Sequence, residues 1–172
     1  MVKNARAFLL VLGIVAPLSA SADDSHSLAK FKGGIGVIPV SSGQGTAATA
    51  TVVNRNIVRG VQPAGQIWVI EDLRADVKAD GSIRVDGRGL LLGGGNNIGL
   101  NANASVFATL ICEAAAPFTE RSTTLTGVAL AADGDFRIDD VLTPAPVDCA
   151  SPVLLIRNAA NQSWFAAGIQ KR

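Results

Sequence analysis

Two cysteines constrain this chain more than any other feature. Cys112 closes a short apolar run, VFATLIC, that begins at Val106, and Cys149 stands just before a second one, SPVLLIRN, from Ser151 to Asn158. In an oxidising compartment, two cysteines with no odd thiol left over predict one disulfide; the alternatives are buried free thiols or a metal site short of ligands. The bond would tie two core strands together and close a loop of 36 intervening residues. In the chain-entropy account such a closure stabilises by about 4 kcal/mol. That is a large share of the ~5 to 15 kcal/mol that holds a whole domain.

The oxidising compartment is implied by the N-terminus. Lys3 and Arg6 precede an apolar run of ten, AFLLVLGIVA, which Pro17 ends and Ala20-Ser21-Ala22 follows. This pattern predicts a signal peptide over residues 1–22, cleaved between Ala22 and Asp23. A membrane anchor is the competing reading, but ten apolar residues fall well short of the roughly 20 that span a bilayer. Localisation is therefore expected to be extracytoplasmic, either periplasmic or secreted, with no membrane span. Loss of Lys3 and Arg6 lowers the 15 basic residues by two, to 13 against 14 acidic, a net charge of −1. No basic surplus remains to hold nucleic acid or an anionic membrane.

The remaining chain is punctuated like an all-β protein. Residues 23–32 read as a mobile polar leader and 33–172 as a single β domain. Gly33 to Val40 and Thr46 to Val53 predict the first strands. Leu73 to Ala79 alternates cleanly and turns at Asp80-Gly81 into Ser82 to Asp86. A two-residue loop there would set Val77 against Arg84, so a three-residue loop including Ser82 is expected, pairing Val77 with Val85 and Ala79 with Ile83. The string ADGSIRVD is echoed as ADGDFRID from Ala132, either a duplicated hairpin or a common turn used twice. These features predict an antiparallel β-sandwich of immunoglobulin-like type, with a small closed β-barrel as the alternative. Trp68 is expected to pack in the core or cap an end of it.

Gly93 to Ser105 (GGGNNIGLNANAS) stands apart, because thirteen residues carry little to fold them beyond Ile98 and Leu100. Loops of this length without regular structure are functional candidates. Asn96, Asn97, Asn101 and Asn103 are its candidate binding residues, since amides both donate and accept to sugars or peptide backbone. Its glycines match no phosphate-binding pattern.

Residue types needed for catalysis do not assemble. The only histidine, His26, falls in the leader, where a base lacks the rigid frame it needs. Glu71 with Asp72, and Asp139 with Asp140, are adjacent in strands and point to opposite faces. Asp133, Asp135, Asp139 and Asp140 lack the spacing of a calcium loop. Asn103-Ala104-Ser105 and Asn161-Gln162-Ser163 are formal glycosylation sequons.

Taken together, IVRGVQPAGQIWVI, GRGLLLGGGNNIG, SVFATLIC and DCASPVLLIRNAANQSWFAAGI resemble a group of small exported bacterial β-rich proteins of unknown function. The resemblance covers roughly Val58 to Ile169 and implies export, a compact β domain and a two-cysteine framework. It implies no activity. The expectation is a non-enzymatic binding or envelope-associated module, without cofactor or metal, for a protein or glycan partner. A metal- or carboxylate-dependent hydrolase sited near Asp133 to Asp140 is the alternative class, and a carrier of a small apolar ligand, lined by Trp68 or Trp164, is a third.

Overall fold

The computed structural model describes residues 27–42 and 53–171. The expected signal peptide, its cleavage site, His26 and Thr46 to Val52 lie outside the described residues. Thirteen strands are formed, and no helix among the described residues: β1 (Ser27–Gly36), β2 (Val40–Ser42), β3 (Val53–Arg55), β4 (Trp68–Val69), β5 (Asp72–Lys78), β6 (Ser82–Arg88), β7 (Leu91–Leu92), β8 (Ser105–Ile111), β9 (Arg121–Ser122), β10 (Val128–Ala129), β11 (Phe136–Val141), β12 (Val153–Asn158) and β13 (Trp164–Gln170).

The all-β, antiparallel expectation holds, and one large sheet carries most of the chain. Its order is β10-β8-β12-β13-β1-β5-β6-β11, with β9 also paired to β8. The two ends of that order, β10 and β11, lie in contact, and the sheet curls until its edges meet. Of the two architectures read from the sequence, this nearly barrel-shaped sheet lies closer to the closed one. Ser122 and Thr143 exchange backbone hydrogen bonds of 3.0 and 2.8 Å across the seam. Asp140 adds another there, its Oδ2 accepting the Thr124 N–H at 2.8 Å. The Asp133-Gly134 turn thus leads across the seam, whereas Asp80-Gly81 joins two strands that pair with each other.

Period-2 patterning fills the interior. Leu73, Ala75 and Val77 of β5 face inward beside Ile83 and Val85 of β6, and all are buried. Val106, Ala108 and Leu110 of β8 meet Leu154 and Ile156 of β12 in the same core. On β6, Gly87 pairs with Phe136, and a β-carbon at this glycine would collide with the Phe136 ring that fills its place.

Two readings are corrected. Ser27 to Lys32, expected in a mobile leader, forms most of an interior strand, β1, held between β13 and β5. Ala29 and Phe31 enter the core while lysines 30 and 32 alternate with them, and these charges obscure the apolar period. In the β5–β6 hairpin the loop has three residues as expected, but they are Ala79, Asp80 and Gly81. Gly81 takes φ +89°, Asp80 Oδ1 accepts the Ser82 N–H at 2.8 Å, and Val77 pairs with Ile83 and Ala75 with Val85. Apolar residues still face one another, because the register moved by two positions rather than one.

The predicted disulfide joins Cys112 and Cys149, with Cα atoms 4.3 Å apart. Beside it, Arg59 makes a second tie. Its Nη1 donates to the carbonyls of Ile111 (2.9 Å) and Ser151 (2.6 Å), and its Nη2 to Ser151 Oγ (2.7 Å). The end of β8 and the approach to β12 are therefore fixed twice.

Candidate functional site

One end of the curled sheet is capped by a small ribbon. Trp68 of β4 donates its N–H to Val37, β4 pairs with β7, Gly93 donates to Ile67, and Leu92 exchanges backbone bonds with Gly99 and Leu100. Val37, Trp68 and Leu92 point into the core, while Ile67 and Val69 face outward. The loop from Gly93 to Ser105 grows from this ribbon and is pinned by it.

The four candidate asparagines separate into two kinds. Asn101 is structural: its Nδ2 donates to the carbonyls of Ala131 (2.9 Å) and Leu130 (3.2 Å), and its Oδ1 accepts the Asn103 N–H (3.0 Å). It clamps the loop to the segment after β10, where Leu130 also donates to Ala104. Asn96 and Asn97 are exposed at the tip beside Ile98 and Leu100, which are 65% and 55% exposed. Asn103 is exposed at the base of the loop, in a turn where Ala102 and Asn103 adopt φ of +52° and +48°. Such a conformation suits asparagine better than most side chains.

Asn103 lines a groove of about 500 Å³, with Ala102, Ala104 and Ser105 on its side and Thr126, Asn158 and Ala160 opposite. Trp68 and Phe165 complete its lining; both are nearly buried, their rings stacked on each other at 3.9 Å between centroids and 15° between planes. Asn158 accepts the Ala160 N–H through Oδ1, and its amide nitrogen has no protein acceptor among the described residues. Trp164, by contrast, is a packing residue; its indole N–H donates to Asn56 at 3.0 Å. The groove thus has a nearly buried aromatic pair at its base and amide and hydroxyl side chains at its rim. Sequence reading found Asn103 and Trp68 separately; it had no signal for Asn158 or Phe165, which come from the β12–β13 hairpin.

The acidic residues considered for catalysis or calcium each have separate partners. Asp139 pairs with Arg84 at 3.0 Å on the outer face, and Asp140, one residue on, faces the seam. Asp133 accepts the Asp135 N–H, and Asp135 accepts the Gly89 N–H. No three of these groups converge among the described residues. The Thr124 N–H holds the Asp140 carboxyl below its usual range, and the Ser82 N–H does the same for Asp80. The largest effect is at Glu113, whose hydrogen bond from Arg121 (2.9 Å), with another from the Thr119 N–H, lowers it to about 2. No helix among the described residues is long and apolar enough to cross a membrane.

No family model, curated protein or solved structure matches the chain.

Proposed function

We propose that the chain is an extracytoplasmic, non-catalytic binding module, and that the groove at the base of the Gly93 to Ser105 loop takes a glycan segment. The observation that carries this reading is the groove itself: stacked Trp68 and Phe165 beneath the rim amides of Asn103 and Asn158. A sugar ring has C–H groups that can pack against the edges of such a pair and hydroxyl groups that pair with amides as donors and acceptors. The Asn101 clamp supports it further, because a site whose loop is held before the ligand arrives loses less entropy on binding. The Cys112–Cys149 disulfide is consistent with a location outside the cytoplasm. Export, and membership of the small exported bacterial proteins that the sequence resembles, belong to the same proposal.

The test is titration with neutral oligosaccharides of different linkage, followed by tryptophan fluorescence, comparing the protein with Asn103→Gly. Glycine removes the amide while accepting the positive φ, so stability is unaffected by backbone strain. The expected result is binding by at least one oligosaccharide and a loss of roughly tenfold in the variant, as for one hydrogen bond left unmade. Equal binding by protein and variant, or binding of peptides in place of glycans, would overturn the reading.

A further inference from the structure

A second recess lies at the seam of the sheet and shares no lining residue with the groove at the loop base. It measures about 530 Å³ and is walled by Ser122, Thr124, Thr143 and Gln162, with Glu120 and Arg157 among its lining. Arg157 lies on β12 opposite Phe107 of β8, on the side of the sheet turned away from the core. Its guanidinium sits 5.2 Å from the centroid of the Phe107 ring, and the residue is only 4% exposed.

Most of this guanidinium is accounted for within the protein. Nε donates to the Gln162 carbonyl at 2.7 Å. Nη1 donates to Glu120 Oε2 at 2.6 Å and to Thr109 Oγ1 at 3.3 Å. Nη2 donates to no group among the described residues. Nor is it sealed away, because the one enclosed side-chain nitrogen or oxygen without a partner among the described residues is Arg121 Nε. The open donor is therefore not enclosed, and its residue lines the recess.

Glu120 fills only half of what the arginine offers. A guanidinium presents paired N–H groups that match both oxygens of one carboxylate, and two parallel bonds are stronger and more directional than one. Glu120 uses Nη1 alone and approaches from the rim, where its side chain is 45% exposed and free to turn toward water.

We propose that this recess is a carboxylate-binding site: Arg157 is its anchor, and Glu120 is an internal carboxylate that an incoming one displaces to take Nη1 and Nη2 together. Ser122 and Thr143 also line the recess, the Ser122 hydroxyl sharing a hydrogen bond of 2.9 Å with Thr109 Oγ1. Asp140, also at the wall, selects by charge. Its oxygens already accept the N–H groups of Thr124 and Val141, and its negative charge disfavours phosphate or a dicarboxylate more than a single carboxylate. The free C-terminus of a peptide and a small organic acid share this chemistry.

Three probes separate those sources: acetate, N-acetyl-dialanine with a free carboxyl, and the same dipeptide as its carboxamide. Calorimetry and the side-chain Nε–H resonance of Arg157 report binding to the purified protein, to Glu120→Gln and to Arg157→Gln. The free dipeptide is expected to bind and its amide to fail. Acetate binding alongside it indicates that small acids suffice, and its failure indicates a peptide terminus. Glu120→Gln removes the internal competitor and should tighten the free acid by about fivefold or more, while Arg157→Gln abolishes binding. Opposite responses from the two partners of one ion pair are a signature that a purely structural pair does not give. Should Arg157→Gln not fold, Arg157→Lys keeps a charge without the fork and should weaken binding. The proposal is overturned if no carboxylate binds Glu120→Gln, if the amide binds as well as the acid, or if binding survives loss of the arginine.

Discussion

The β5–β6 hairpin and the β8–β12 pair are ladders of the same kind, yet one has a wet face and the other has none. Along β5 and β6, buried residues alternate with exposed ones. The exposed positions form a lattice of opposite charges: Asp72 lies across from Arg88, Arg74 from Asp86, and Asp76 from Arg84, with Asp139 beyond Arg84 and Arg137 beyond Asp86. Along β8 and β12, nearly every residue is buried, including Thr109 and Arg157 on the side away from the core. The difference comes from what is laid over each face. Excursions of the chain from Ile57 and from Glu113, fastened by Arg59, Arg121 and the disulfide, touch the covered side. A bare charged face is soluble and offers its ligands to water; a covered face has recesses where the cover ends. Both recesses singled out here, at the loop base and at the seam, include residues of β12.

Removing the disulfide should weaken the covered side most. Cys112→Ala with Cys149→Ala should cost about 4 kcal/mol and lower Tm by roughly 10 °C, measured by calorimetry; an unchanged Tm would mean that the covered side does not depend on its tie. Arg59→Ala removes three hydrogen bonds at the same junction and should cost about 2 kcal/mol in urea unfolding. Because Arg59 and the disulfide hold one junction, the combined variant should cost less than the sum of the two.

Acid should also weaken the covered side. Glu113, held at about 2 in the folded protein by Arg121 against a usual 4.5, contributes stability that is complete above pH 4.5. That contribution is lost as the pH falls from 4.5 toward 2, because the unfolded chain binds the proton first. Glu113→Gln should therefore be less stable than the parent at pH 6 and converge on it near pH 2, as followed by urea unfolding across that range. The smallest effect belongs to the wet face. Arg84→Ala breaks its pair with Asp139, both more than half exposed, and should change stability by no more than about 0.5 kcal/mol.

How far the sequence could be read follows the same division. Alternation at Leu73, Ala75 and Val77 exposed the wet strands, since a half-buried strand writes its two faces in turn. The apolar runs before and after the cysteines identified core strands, and the pairing of Cys112 with Cys149 needed only their number and the compartment expected from the N-terminus. What covers those strands was not legible, because cover depends on contacts between segments far apart in the chain. Arg59 and Arg157 are single arginines in ordinary runs until their partners are placed, 92 residues away for Arg59 and Ser151 and 37 for Arg157 and Glu120. An arginine inside VLLIRN was the available signal, since a buried charge requires partners. Among the loop asparagines, composition could not distinguish Asn101, which clamps, from Asn103, which faces the groove. The start of β1, Ser27 to Lys32, was missed because its lysines mask a two-residue apolar face, while Gly33 to Gly36 fell within the strand expected from Gly33.

The most direct test of the account is an amide chemical-shift map of the protein titrated with a glycan that binds. The account predicts perturbations confined to Asn103, Ser105, Thr126, Asn158 and the Trp68 indole, with the amides of Arg84, Asp86 and Arg137 unmoved. Perturbations centred on those charged strands, with the groove residues silent, would contradict it.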